Sequence, residues 1–146
     1  MMEIRNFTLL KGKVNQMSRR QEQQFFICKH CRNLVGMINN AGVQIICCGE
    51  AMSELVPNTV DAAVEKHVPE VTVEGNTVKV QIGSVLHPMS EEHHIEWIYL
   101  ETAKGGQRKN LEVGDESSAV FTLVDDQPTA VYAYCNLHGL WEKELG

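Results

Sequence analysis

From Val71 onward the chain alternates between apolar and polar positions. Val71-Thr72-Val73 and Val78-Lys79-Val80-Gln81-Ile82 place an apolar side chain at every second residue, the period of a strand with one buried face. Glu74-Gly75-Asn76 between them is hairpin chemistry. Segments 95–101, 107–111, 119–124, 130–134 and 140–145 read as further strands, punctuated by Lys104-Gly105-Gly106 and Val113-Gly114-Asp115. About seven short strands with regular turns predict an immunoglobulin-like antiparallel β-sandwich. No repeat is visible.

Upstream the pattern shortens. Phe25-Phe26-Ile27 leads into Cys28-Lys29-His30-Cys31, and 34–38 reads as a strand. Asn39-Asn40-Ala41-Gly42 supplies turn residues, and a second strand at 43–46 runs into Cys47-Cys48-Gly49. The expectation is a short hairpin with cysteines at its open end, too small to bury a core of its own, so that a bound metal makes up its stability. Residues 1–24 form a polar, glutamine-rich extension, either a short helix or a frayed arm, with no chemistry of its own. The organisation expected is therefore an extension (1–24), a metal-bound module (25–55) and a sandwich domain (56–146). The last opens on a linker of about 56–66 that carries Pro57 and a helical turn around 61–66, with Pro69 just beyond it.

Composition narrows the function. The 146 residues are 43% hydrophobic and 22% charged, ordinary values for a globular chain. A net charge of -6 argues against nucleic acid as a partner, since phosphate backbones demand basic surfaces. No apolar run is long enough for a membrane span, and 1–13 lacks a signal peptide's apolar stretch, so a cytoplasmic protein is the default expectation. Five cysteines in such a protein point to metal or redox chemistry rather than to disulfides.

Four of them gather as Cys28-x-x-Cys31 and the adjacent pair Cys47-Cys48. Four thiolates suit zinc or a single iron. A thioredoxin-like dithiol would need a βαβ context, which is missing, and a Cys47–Cys48 disulfide would close a strained ring. His30, inside the first pair, is given no role. The fifth cysteine, Cys135, stands three residues before His138, at a strand end and ahead of Gly139. His67, His87 and His93 occupy other predicted loops. Imidazole with thiolate suits iron, copper or zinc. A blue-copper site would want an axial methionine shortly after the last histidine; Met89 is available elsewhere, but Leu140-Trp141-Glu142 follows His138.

The segments Glu-Lys-His-Val-Pro (65–69), His-Pro-Met-x-Glu-Glu-His (87–93), His-Ile-Glu-Trp (94–97) and Tyr-Cys-Asn-Leu-His-Gly (134–139) resemble the desulfoferrodoxin-type superoxide reductases. The Cys-x-x-Cys and Cys-Cys-Gly-Glu (47–50) segments are similar to their desulforedoxin-like module. The resemblance spans 25–146.

It implies two mononuclear irons, with zinc a possible substitute in the tetrathiolate one. The first is held by Cys28, Cys31, Cys47 and Cys48 and relays electrons. The second is held by four equatorial imidazoles (His67, His87, His93, His138) and axial Cys135, with a sixth position open, so that superoxide is reduced to hydrogen peroxide. It also implies that Lys66 draws the anion in and that Glu65 caps the open position in the resting state. A donor such as rubredoxin and a homodimer are implied as partners. His94 follows His93 directly, points the other way on an extended chain, and stays unassigned. Two other readings compete: an electron carrier with a vestigial histidine site, and a structural zinc ribbon fused to a β-sandwich binding module.

Overall fold

A computed structural model describes residues 22–146. The expectations for 1–21 lie outside the described residues. The described chain is almost wholly β, in two bodies that share a packed seam.

The small body begins with β1 (Gln24–Ile27), paired antiparallel with β2 (Leu34–Met37). Two further short strands, β3 (Ile46–Cys47) and β4 (Glu50–Ala51), pair with each other, and β5 (Ser53–Glu54) adds to the free side of β1. This corrects the hairpin expected between 34–38 and 43–46. The partner of β2 is β1, the segment treated as a lead-in, and Val43 is left 75% exposed. The reason is long-range packing. Phe25 and Ile27 alternate inward and join Trp97, Ala130, Tyr132, Tyr134 and Leu140 in one buried cluster, so β1 is anchored and draws β2 to its edge.

The chain then makes one helical turn, α1 (Val64–His67), slightly later than the turn expected at 61–66. Ala63 caps it without a side-chain hydrogen bond, and Pro69 opens the next strand. The seven expected sandwich strands follow: β6 (Pro69–Glu74), β7 (Thr77–Ile82), β8 (Ile95–Thr102), β9 (Gly105–Asn110), β10 (Ser118–Thr122), β11 (Pro128–Cys135) and β12 (Gly139–Glu144). They form a three-stranded sheet in the order β10-β7-β6 and a four-stranded sheet in the order β12-β11-β8-β9.

Between the sheets lie Val78, Val80, Ile82, Ile95, Ile98, Leu100, Phe121, Val131, Ala133 and Cys135. Strand β11 is buried on both faces. Val131, Ala133 and Cys135 point into the sandwich, whereas Ala130, Tyr132 and Tyr134 point out beneath the small body. A register shift against β8 at Tyr134/Cys135 bends this strand where it leaves the core, a common device for re-aiming a side chain near a functional site.

Candidate metal centres

The first cluster sits on two turns. Between β1 and β2, the Cys28 amide donates to the Asn33 carbonyl (2.8 Å) and the Arg32 amide donates to the Cys28 carbonyl (2.9 Å), closing a knuckle around Cys28 and Cys31. The Cys31 amide points at the Cys28 sulfur (3.5 Å). Between β3 and β4, Cys48 and Gly49 both have positive φ, 53° and 76°. Two consecutive left-handed residues make a tight primed turn, which is why a glycine follows the adjacent pair.

The four sulfurs of Cys28, Cys31, Cys47 and Cys48 all lie within 4.8 Å of one another, with Cys31 and Cys47 3.6 Å apart. A tetrahedron of thiolates at about 2.3 Å from a metal has edges of about 3.8 Å, so the set fits one ion. The amide of Cys31 holds the Cys28 thiol down to about 6. Cys48 is pushed up to about 12, first by hydrogen bonding to the Cys31 sulfur and then to that of Cys28. Four sulfurs this close cannot all ionise without a cation among them. His30 lies outside, its Nε2 2.8 Å from the Glu50 carboxylate, joining the two turns at their exposed rim.

The second cluster forms at one end of the sandwich, from three separate segments. His67 ends α1, His87 and His93 both lie in the loop between β7 and β8, and His138 lies in the turn between β11 and β12. The rings stand edge to face around a closed circuit. Successive centroids are 4.7 Å (His67–His87), 4.5 Å (His87–His93), 5.0 Å (His93–His138) and 4.9 Å (His138–His67) apart. His67 and His93, across the ring, are 6.2 Å apart. Cys135 brings its sulfur to 3.4 Å from His87 Nε2 and 3.8 Å from His138 Nδ1. The tightest set, with ligand atoms all within 4.8 Å of one another, is His67, His87, His93 and Cys135; His138 Nδ1 joins it through a 3.1 Å approach to His67 Nε2.

The hydrogen bonds fix which ring nitrogens face inward. His67 Nδ1 lies 2.6 Å from the Ala63 carbonyl and His87 Nδ1 lies 2.7 Å from the Pro88 carbonyl. A carbonyl only accepts, so both Nδ1 atoms carry the proton and both Nε2 atoms present lone pairs. Those lone pairs face each other at 3.2 Å, which is repulsive unless a cation lies between them. His93 Nε2 is buried and has no hydrogen-bond partner. Burial holds His87 down to about 4 and lowers His67 and His93 too, with neighbouring rings and, for both of the latter, the Lys66 charge adding to the effect. Burial raises the Cys135 thiol. Neutral imidazoles, an orphaned nitrogen and a sulfur at one point are the donor set of a transition metal.

Three comparisons decide the lineage. The desulfoferrodoxin sequence profile matches residues 59–144. The chain belongs to the desulfoferrodoxin family. It is similar to a desulfoferrodoxin homolog of Archaeoglobus fulgidus, 44% identical over 120 residues that span 82% of this chain and 95% of the relative. A desulfoferrodoxin of Syntrophotalea carbinolica is 41% identical over 124 residues, 85% of this chain and 98% of the relative. Among solved structures, the superoxide reductase of Treponema pallidum superposes with a TM-score of 0.72 at 44% identity, covering 85% of this chain and all of that one.

Other desulfoferrodoxin residues singled out in the sequence fall as follows. Glu65 and Lys66 are exposed on α1, directly before His67. His94 turns away from the ring; its Nδ1 meets the Ser90 carbonyl at 2.9 Å and its amide donates to Asn136 Oδ1. Met89 is not in the cluster, and its sulfur accepts from the Ile95 amide at 3.3 Å. Sequence reasoning passed over Trp141. Its indole stacks on His67 at 4.8 Å and 25°, and its N–H donates to the His138 carbonyl at 3.0 Å. The available signal was its position, one turn-length beyond His138 on a strand otherwise aimed at the core.

Proposed function

We propose that this chain is a superoxide reductase. In this reading His67, His87, His93, His138 and Cys135 hold one iron, while Cys28, Cys31, Cys47 and Cys48 hold a second that relays electrons to it. The observation that carries the reading is the closed ring of imidazoles above the Cys135 sulfur. Four rings bound at right angles to one ion, through nitrogens about 2.1 Å from it, would have adjacent centroids about 4.6 Å apart and opposite ones about 6.5 Å apart. The observed spacings of 4.5–5.0 Å and 6.2 Å support four histidine donors. An intact ring of this kind counts against a vestigial site. The family membership and the likeness to a superoxide reductase of Treponema pallidum support the activity.

Iron bound there supplies the one electron needed by the overall change: superoxide plus one electron and two protons gives hydrogen peroxide. The chain's own residues do the rest. The carbonyls of Ala63 and Pro88 fix the tautomers and orient the His67 and His87 rings. Cys135, fully buried, would hold the iron from the core side of the ring. Lys66 offers a positive charge on an acidic protein, so the anion is steered to α1. Glu65 beside it is exposed on the same turn and would offer a carboxylate to the open face of that site. Protons come from the water that reaches this exposed turn.

The electron donor is a small redox protein of rubredoxin type. A homodimer is supported by the apolar surface of the small body, where Ile38, Val43 and Ile46 are largely exposed. Zinc can replace iron among the thiolates without changing their geometry. Among the described residues no helix is long and apolar enough to cross a membrane.

Iron analysis, visible spectra and superoxide consumption with oxygen monitoring test the proposal together. Two irons per chain and consumption of superoxide without oxygen release are expected. Cys135→Ser should remove the histidine-site band and the activity while sparing the thiolate band. Release of one oxygen for every two superoxides would make the protein a dismutase and overturn the reading.

A further inference from the structure

Gly83 packs directly against the backbone around α1, the turn that carries His67. It is buried just beyond β7, at the start of the loop that leads to His87. Its φ lies outside the left-handed region, so a positive φ does not call for glycine. Space does. A Cβ at this position would lie 2.5 Å from the Glu65 carbonyl oxygen, 3.0 Å from the Lys66 carbonyl carbon and 3.0 Å from the Val68 carbonyl oxygen. All three are backbone atoms of or beside α1, and none can rotate aside.

The same loop also grips that turn. The Val85 amide donates to the Glu65 carbonyl at 3.0 Å, and the Ser84 hydroxyl donates to the same oxygen at 3.3 Å. The His87 amide returns to the Ile82 carbonyl at 2.8 Å and closes the loop. A four-residue turn such as α1 has no stability of its own, and Ala63 gives it no side-chain cap. Its position is therefore imposed from outside, and Gly83 is the surface it rests on.

We propose that Gly83 is a positioning residue for the Glu65–Lys66–His67 turn. Its missing side chain lets the 83–86 loop seat against the carbonyl edge of α1. That contact fixes the His67 ring against His87 and holds the Glu65 and Lys66 side chains outward over the open face. A methyl group there needs ordinary contact at 3.4 Å or more instead of 2.5 Å, so the turn must retreat by about 0.9 Å (3.4 − 2.5). Ligand constellations tolerate about 0.5 Å. The retreat exceeds that tolerance, and the His67 nitrogen leaves its place in the ring. The part of the inference that concerns Lys66 rests on the superoxide reductase reading; the part that concerns metal retention does not.

The test compares full-length Gly83→Ala and Ser84→Ala, both iron-loaded, with the unmodified chain. Iron loss to a chelator is followed at the histidine-site band, with the thiolate band as internal control. Gly83→Ala is expected to speed loss from the histidine site 10- to 100-fold, the usual reach of groups that orient ligands. Loss from the thiolate site should be unchanged, and Ser84→Ala should stay within threefold. The superoxide rate of Gly83→Ala should also lose part of its dependence on ionic strength. If histidine-site loss stays within twofold while the melting temperature drops, Gly83 serves the fold alone and the proposal is overturned. Faster iron loss with an unaltered salt slope supports the positioning role and removes Lys66 from substrate capture.

Should Gly83→Ala fail to fold, hydrogen exchange in the unmodified chain decides. The Val85 amide should exchange at least tenfold more slowly when the histidine site holds iron than after iron removal. Equal exchange overturns the coupling between loop and site.

Discussion

The two clusters are assembled from the chain in very different ways. The thiolates come from two tight turns between Cys28 and Cys48, on strands of two to four residues, with Cys31 and Cys48 exposed. The imidazoles and Cys135 come from distant segments at one end of a sandwich, with His67, His87 and Cys135 buried. The core between the sheets exists whether or not an ion is bound. Among the described residues no comparable core lies within the small body, whose buried apolar side chains Phe25 and Ile27 belong to the seam with β8 and β11. The lesson is that an ion among the thiolates supplies folding energy, whereas an ion among the histidines enters a site that folding has already assembled.

Stripping both metals is the harshest way to break that contrast. Structural zinc in small fingers contributes roughly 10–16 kcal/mol of apparent folding energy. Metal removal should therefore melt the segment from Cys28 to Met52 while the sandwich keeps a cooperative transition. Strand β1 should survive, because Phe25 and Ile27 are held by Trp97 and Tyr132. Amide exchange reads this directly: the Cys28 and Met52 amides, bonded to Asn33 and Ile45, should lose protection, and amides of β7 should keep it. Retained protection at Cys28 in metal-free protein would erase the distinction.

The same contrast explains what could be read from sequence. The sandwich strands were legible because period-two alternation is a local signal, and TVKVQI of β7 shows it in full. The thiolate set was legible for the same reason, its spacing being contained in two short motifs. The partner of β2 was not, because β1 earns its place through Trp97 and Tyr132, far along the chain. Nothing local ties His67 to His93 either; only their resemblance to family motifs joined them. Trp141 and Gly83 stayed hidden because their roles are distances to other segments, and neither residue type announces such a role.

A smaller effect separates the clusters by pH. Burial holds His87 near 4 in the folded protein against 6.5 when free. Between those values the unfolded chain binds a proton that the folded chain refuses, so folding loses stability as pH falls. The contribution is intact above about pH 6.5 and lost by about pH 4, amounting to about 3 kcal/mol for His87, with His67 and His93 shifted in the same direction. Urea unfolding of the metal-free sandwich at pH 7, 5.5 and 4, followed by tryptophan fluorescence, should show the fall. A flat profile would mean that the rings are not held neutral by the fold.

Trp141→Phe sharpens the idea of a preassembled site. Phenylalanine retains a ring to stack on His67 but cannot donate to the His138 carbonyl. Groups that orient ligands typically change metal affinity 10- to 100-fold, and the low end is expected because half of the contact survives. Competition with a chelator at the histidine site measures it. No change would show that the core positions His138 without help from the indole.

The smallest effect belongs to a side-chain hydrogen bond that joins the two bodies near both clusters. Arg32, directly after Cys31, donates to the Tyr134 hydroxyl at 3.2 Å, and Tyr134 directly precedes Cys135. The Tyr134 ring is packed parallel to Trp97 at 5.8 Å and 11°, so Tyr134→Phe removes the bond and keeps the packing. A hydrogen bond to a charged donor is worth about 1.5–3 kcal/mol when buried, but Arg32 is exposed and solvent takes up its loss, so about 1 kcal/mol is expected. Arg32→Ala should cost a similar amount, and the double variant should cost no more than either single change. Both iron bands should stay where they are, because the bond joins the scaffolds rather than the ligands. A shift of the thiolate band in Tyr134→Phe would mean that the outer face of β11 transmits strain from one cluster to the other, and the two sites would then have to be treated as one coupled unit.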